Sequence, residues 1–415
     1  MLNRRAWVRA RPTNSHVVTA LGPAFVAAIA YVDPGNVAAN VSAGASFGYL
    51  LVWVLVIANV MAMVIQYLSA KLGIVTGKSL PEVVGESLPR KARLAYWVQA
   101  ELMAVATDVA EVIGGALALW LLFGVPLPLG GVLVAVISMT VLSVQNRRGQ
   151  RVFETVIVSM LGIITAGFLA GLVVAPPEAG GVLGGMVPRL EGSQSLVLAA
   201  SMLGATVMPH AIYLHSALSR DRHGGAHGAQ HTRYLLRATR ADVVIALLVA
   251  GSVNMGMLLL AARNLYGVDG TDTIEGAHAA IAEALGPVVG IVFAMGLLAS
   301  GLASTAVGSY AGDVVTAGLL HRRIPLFARR GFTMIPAVIL LAVGVEPTAA
   351  LVGSQVVLSF GIAFALIPLV WFTGRRRLLG QFTNGPLLSG VGWASAGIVV
   401  VLNVVLLGLM AIDLA

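Results

Sequence analysis

The chain has 415 residues, of which 58% are hydrophobic and 11% charged, with a mean hydropathy of +0.90 and a net charge of +8. A soluble domain carries roughly 25% charged residues, and a disordered chain is poor in apolar ones, so neither class fits. Cysteine is absent, which excludes disulfide scaffolds, thiolate metal sites and cysteine nucleophiles.

A bilayer-spanning helix needs about 20 mostly apolar residues. Eleven stretches qualify: 17–43, 48–73, 93–122, 128–145, 152–175, 195–219, 241–262, 279–318, 330–346, 348–373 and 387–412. The eighth exceeds one crossing and is expected to project beyond the surface. Four arginines (Arg4, Arg5, Arg9, Arg11) precede span 1. The run after them is too long for a signal peptide and has no cleavage site, so span 1 reads as a retained helix. The 48 glycines suit closely packed membrane helices.

Span 1 carries Asp33-Pro34-Gly35-Asn36 near its middle. Proline lacks an N–H and clashes with the preceding turn, and glycine weakens the helix further. The helix is expected to unwind there. Backbone freed at membrane depth persists only where it lines a cavity or binds something. A plain proline kink is the blander reading, and the carboxylate and amide flanking the break weigh against it. Gly44-Ala-Ser46-Phe-Gly48, at the end of this span, imitates a nucleophile elbow without the strand that motif needs. After span 2, Gly73-Ile-Val-Thr-Gly77-Lys78-Ser79 imitates a phosphate loop but is one residue short and follows no strand, so no ATP is implied.

Span 3 places Glu101, Asp108 and Glu111 on one helix face, since 108 and 111 lie about 20° and 80° from 101 at 100° per residue. Three carboxylates in a low dielectric cannot all stay charged cheaply, which suits proton exchange. They are equally suited to pair with Arg329 and Arg330 at the start of span 9. Gly167-x-x-x-Gly171 in span 5 and Gly308-x-x-x-Gly312 in span 8 read as helix-packing sites.

Span 6 holds a second break, Ala205-Thr206-Val207-Met208-Pro209-His210, five spans after the first. An odd separation makes spans 1–5 and 6–10 opposite in orientation, and paired broken helices in inverted halves point to a midplane transport site. Asp33, Asn36 and a carbonyl near Ala205 are oxygen ligands for a cation, and the Met208 thioether favours a later transition metal over Mg²⁺ or Ca²⁺. The loop 220–240 spaces His223, His227 and His231 four apart, but its glycines favour a solvated linker over a metal site. Asn254 in span 7, His210 and His215 in span 6 and Gln355 in span 10 are further polar groups within the spans.

With the N-terminus inside, 24 of the 26 Lys and Arg fall in inner segments, and only Arg189 and Arg263 lie outside. That predicts N-in, C-out. The basic balance is therefore topological, and no nucleic-acid partner is expected.

The two breaks, with Gln99-Ala-Glu101, Ala106-Thr-Asp108-Val-Ala-Glu111 and Gly204 through His215, resemble the signature motifs of the Nramp divalent-metal transporters over nearly the whole chain. The resemblance implies an all-α, LeuT-type 5+5 inverted repeat in a bacterial inner membrane. Residues 17–175 would form the first repeat, 195–373 the second and 387–412 an accessory span. It implies proton-coupled import of Mn²⁺ or Fe²⁺, with Cd²⁺, Co²⁺ and Zn²⁺ as further candidates. Implied metal ligands are Asp33, Asn36, the Ala205 carbonyl, Met208 and Gln355. The implied proton pathway runs from Asp33 past His210 through Glu111, Asp108 and Glu101 with Arg329 and Arg330. His215 matches a family position of less settled role. No enzymatic activity, resident cofactor or obligate protein partner is expected. A Na⁺-coupled amino-acid symporter and a metal channel are the competing readings. Asp33 argues against the first, because it would repel a substrate carboxylate. The titratable row in span 3 argues against the second.

Overall fold

A computed structural model describes residues 22–148, 150–224, 228–322 and 324–413 of the chain. Arg4, Arg5, Arg9, Arg11, the first five residues of the expected span 1, the side chains of Arg147, Arg148 and Arg151, and also His227 and Arg323, lie outside the described residues. The described residues are helical, with no strand among them.

The helices are α1 (Pro23–Ala28), α2 (Pro34–Phe47), α3 (Val52–Thr76), α4 (Leu80–Ser87), α5 (Arg90–Phe123), α6 (Leu127–Arg148), α7 (Gln150–Val174), α8 (Ala179–Gly185) and α9 (Gly192–Thr206). There follow α10 (Pro209–His223), α11 (Ala229–Asn264), α12 (Ile274–Leu285), α13 (Pro287–Leu320), α14 (Leu326–Ala342), α15 (Pro347–Thr373), α16 (Arg376–Leu379) and α17 (Pro386–Asp413). Counting α9 and α10 as one broken segment, eight segments among the described residues are long and apolar enough to cross a membrane. Pro23–Val32 and Leu127–Thr140 are shorter apolar stretches, and α14 has 17 residues.

Two expectations need correction. The overlong eighth span is two helices, α12 and α13, parted at Gly286-Pro287. Gly286 takes φ 100, which only glycine adopts readily, and Pro287 then starts α13 at its first position. The loop 220–240 is largely helix: α10 runs to His223 and α11 starts at Ala229. His223 and His231 therefore belong to different helices, and no single helical face carries the trio. The glycine-containing segment 73–79 ends α3 and starts α4. Ser79 caps α4 in a capping box, with Glu82 Oε2 accepting from the Ser79 N–H at 2.6 Å.

The long helix α13 packs against α5 and α7, α11 against α2 and α3, α10 against α3, and α15 against α9, α5 and α17. Apolar side chains fill these interfaces, and large ones such as Leu102, Phe332 and Val401 stand exposed on the outside, as a lipid-facing surface requires. The broken segments α1–α2 and α9–α10 run through the middle of the bundle, and their residues 26–43 and 198–218 are buried throughout.

Candidate metal site

Both breaks follow from the same local rule. A residue before proline is pushed out of the helical region, and proline is favoured at the first position of the helix that resumes. Asp33 has ψ 168 and caps α2, which begins at Pro34. Met208 has ψ 128 and caps α10, which begins at Pro209. A 3₁₀ turn, Ile29–Val32, tightens the chain into the first break.

The carbonyls freed by the first break are taken up by neighbouring helices. Asn254 of α11 donates to the Tyr31 carbonyl at 2.7 Å, and Ser300 of α13 donates to the Val32 carbonyl at 2.5 Å. Asn40 donates to Asn254 Oδ1 at 3.1 Å, which fixes that amide in turn. Asp33 Oδ1 accepts from the Asn36 backbone N–H at 2.8 Å and from Asn36 Nδ2 at 2.6 Å. The negative carboxylate thus sits on the positive end of α2.

The second break joins the first through one bond. Ala205 lies in the last turn of α9, where carbonyls lose their helical partners, and its oxygen accepts from Asn36 Nδ2 at 2.9 Å. From α15, Gln355 Nε2 donates to Asp33 Oδ2 at 3.3 Å. Gly35 makes room for this amide: a Cβ there would overlap the Gln355 side chain. Gly204 likewise lets α9 lie against the Gln355 carbonyl, and Gly114 of α5 lies against Pro34. Asp33, Asn36, Ala205, Met208 and Gln355 are all 0% exposed.

Asn36 Oδ1 and Gln355 Oε1 are buried and find no hydrogen-bond partner among the described residues. A buried acceptor without a donor costs about 1–3 kcal/mol, and a cation relieves that cost. No group of three His, Cys, Asp or Glu suited to a metal occurs among the described residues. The donors that hydrogen bonds bring together here are one carboxylate, two side-chain amides and a backbone carbonyl.

The carboxylate row on α5 meets the two arginines of α14. Arg329 clamps Glu101 with Nε at 3.0 and 3.2 Å and Nη2 at 3.0 Å, and the Thr316 hydroxyl donates to Glu101 Oε1 at 3.0 Å. Arg330 pairs with Asp108 and reaches Glu111 Oε2 at 3.3 Å. Glu111 Oε1 and Arg330 Nε keep no partner among the described residues. A cavity of about 20 Å³, room for one water, is lined by residues that include Thr107, Asp108, His210 and Arg329. The Thr107 hydroxyl is 3.4 Å from His210 Nδ1.

Gly308 and Gly312 do more than pack helices. A Cβ at Gly308 would stand 3.0 Å from Glu111 Oε1, and one at Gly312 would overlap the Arg329 guanidinium. They clear space on α13 for charged groups. Gly167 keeps its packing character, with a Cβ there 2.9 Å from the Val292 carbonyl.

His215 joins a different chain: its Nδ1 is 2.8 Å from Gln66 Oε1, and Gln66 Nε2 is 2.5 Å from the Tyr31 hydroxyl. Gln66, Tyr31 and Ser300 were not singled out in the sequence. Gln66 is an amide in mid-span and was detectable as such. A serine that caps a freed carbonyl leaves no sequence signal.

A profile of the natural resistance-associated macrophage protein-like family matches residues 24–409. The chain is 57% identical over 387 residues to a divalent metal cation transporter, MntH, of Mycobacterium tuberculosis, covering 93% of this chain and 90% of that one. It is 47% identical over 390 residues to MntH of Bacillus subtilis, covering 93% and 91%. A manganese transporter of Eremococcus coleocola superposes with a TM-score of 0.87 at 30% identity, covering 96% of this chain and 88% of that one. Mhp1, a nucleobase-cation-symport-1 family transporter, shares the fold with a TM-score of 0.61 at 16% identity, over 93% and 90%.

Proposed function

Since the chain belongs to the natural resistance-associated macrophage protein (Nramp) family, and is thus a multi-pass plasma-membrane protein, we propose that it imports divalent transition-metal ions, Mn²⁺ or Fe²⁺, together with protons. The two donor-free oxygens carry this reading. Asn36 Oδ1 and Gln355 Oε1 belong to the amides whose nitrogens donate to the Asp33 carboxylate, on side chains that are 0% exposed.

The ligand set we assign is Asp33, Asn36, the Ala205 carbonyl, Met208 and Gln355. Asp33 supplies the one full negative charge. The amides and the carbonyl supply neutral oxygens, which hard and borderline cations accept alike. The Met208 thioether adds a soft donor that Ca²⁺ and Mg²⁺ use poorly.

Protons in this reading leave Asp33 past His210 and cross the water-sized cavity to Asp108 and Arg330, then Glu111 and the Glu101–Arg329 pair. The half-satisfied state of Glu111 and Arg330 supports this, because a proton carrier must change partners. Residues 17–175 and 195–373 would act as the two inverted repeats, with 387–412 accessory and the N-terminus inside. Alternating access would come from one repeat rocking on the other.

Purified protein in liposomes, with external Mn²⁺ and a pH dye inside, tests the proposal. Mn²⁺ entry should acidify the lumen, and Asp33→Asn should abolish saturable uptake. Substantial saturable uptake by Asp33→Asn, or Mn²⁺ entry without acidification, would overturn the site or the coupling respectively.

A further inference from the structure

We propose that the open face between α5, the end of α13 and the start of α14 binds an anionic phospholipid. Its phosphate would rest on Arg90, Arg93 and Arg322, and one acyl chain would lie over the Glu101–Arg329 pair.

Two cavities make up this face. The first, about 400 Å³, is lined by Arg90, Arg93, Leu94, Leu320 and Arg322, so among the described residues every charged group in it is an arginine. The second, about 410 Å³, is an apolar groove lined by residues that include Trp97, Val98, Leu102, Val105 and Phe332. They are continuous along α5, because Leu94 of the first lies three and four residues from Trp97 and Val98 of the second. The other wall continues as well, with Arg322 in the first and Ile324 in the second.

Among the described residues the charges lining the groove are Glu101 and Arg329, which neutralise each other. They keep 17% and 9% of their side-chain surface exposed. From Arg93 to Glu101 the helix rises about 12 Å, within the roughly 15 Å of one leaflet's hydrocarbon. A chain hanging from a phosphate at the arginines therefore reaches the ion pair and shields it. Leu102 and Phe332 flank the groove at 59% and 73% exposure, so the groove is open to lipid from the side.

The charge placement points to an anion. Arg90, Lys91 and Arg93 occupy the first turn of α5, where the helix dipole is already positive and cations are disfavoured. No side chain caps this end, since the cap position is Pro89. Arginines that only fix topology need neither a shared cavity nor a position against the dipole. Arg93 is held in place by the Gly85 carbonyl at 3.5 Å and by His321 Nε2 at 3.0 Å. Basic pockets between membrane helices are the known setting for anionic lipid headgroups.

Native mass spectrometry of the full-length protein, from micelles doped with phosphatidylglycerol or phosphatidylcholine at equal concentration, tests this without reference to transport or orientation. The wild type should retain phosphatidylglycerol preferentially. Replacing Arg90, Arg93 and Arg322 together with Gln should weaken retention roughly 100-fold, at about fivefold per surface arginine. A matched control, Arg233→Gln, Arg237→Gln and Arg377→Gln, should retain it. Val98→Trp, which fills the groove and keeps every charge, should also release the lipid. Equal retention by the first triple variant and the control would overturn the proposal. So would equal retention of the two lipids, or full competition by equimolar glycerol phosphate, which has no acyl chain.

Discussion

Gly312→Ala tests whether α13 is shaped around the Arg329 guanidinium. The new Cβ would overlap Cζ and both terminal nitrogens of that group. The guanidinium is not free to swing away, because three contacts of 3.0–3.2 Å clamp it to Glu101. Two responses exist. If α13 backs away from α14, the cost is that of overpacking, about 1–3 kcal/mol. If the guanidinium leaves, Glu101 keeps, among the described residues, only the Thr316 hydroxyl, and breaking a largely buried pair costs about 3–5 kcal/mol. The cheaper response sets the outcome, so the expected loss is about 2 kcal/mol, roughly 30-fold in the folding equilibrium. Equilibrium unfolding in mixed micelles, followed by tryptophan fluorescence, measures it. Gly353→Ala on α15 is the control, since nothing lies within 4 Å of its Cβ; it should be neutral or stabilising by up to about 1 kcal/mol. In a Glu101→Gln background the clamp is weaker, and the Gly312→Ala cost should fall below about 1 kcal/mol. A Gly312→Ala loss within about 0.5 kcal/mol of the control, or an undiminished loss in the Glu101→Gln background, would refute the reasoning.

Met208→Ala should let Ca²⁺ compete with Mn²⁺ uptake about tenfold better, the worth of one soft contact of about 1.4 kcal/mol. Unchanged competition in liposomes would remove the thioether from the ligand set. Asn254→Leu strips a donor from the buried Tyr31 carbonyl and a partner from Asn40, and should destabilise by about 1–3 kcal/mol, read as a lowered denaturation midpoint. Burial works to raise the Glu82 pKa. The bonds from the Ser79 N–H, the Arg220 guanidinium and the Ser79 hydroxyl outweigh it, leaving the pKa below its ordinary 4.5. A lowered folded pKa means that the stabilisation is present above pH 4.5 and is lost as pH falls through the lowered value. Glu82→Gln should therefore be less stable than wild type at pH 7 and converge with it in acid, and a pH-independent gap would contradict this.

Much of the site was legible because proline acts locally. Asp33-Pro34 and Met208-Pro209 dictate two pre-proline caps wherever the chain goes, and that geometry is what the structure has. The arginine pairing of α5 was legible for a related reason: carboxylates on one face of a membrane helix need partners, and few cations lie at that depth. What escaped reading depended on contacts between distant segments. Gly308 and Gly312 look identical to packing glycines until Glu111 and Arg329 are seen opposite them. Ser300 became important only because α13 crosses beside the Val32 carbonyl. The overlong eighth span was a missed local signal, since Gly286-Pro287 parts two helices that share one apolar run.

The two breaks are tied down differently. The carbonyls of the first are claimed by α11 and α13, which anchors that segment to the surrounding bundle. The Ala205 carbonyl of the second is claimed by Asn36 of the first. At the first break the freed carbonyls are thus fastened to the frame, whereas at the second the Ala205 carbonyl is fastened to the first, the helices on either side of that break being held by α3 and α15. Pulling the two breaks apart strands a buried carbonyl, which then needs water or a positive charge. By thermodynamic reciprocity, whatever binds between them holds them in register, and whatever holds them in register strengthens that binding. The Asn36–Ala205 contact works as a gauge, reporting at one point whether the two broken segments are aligned.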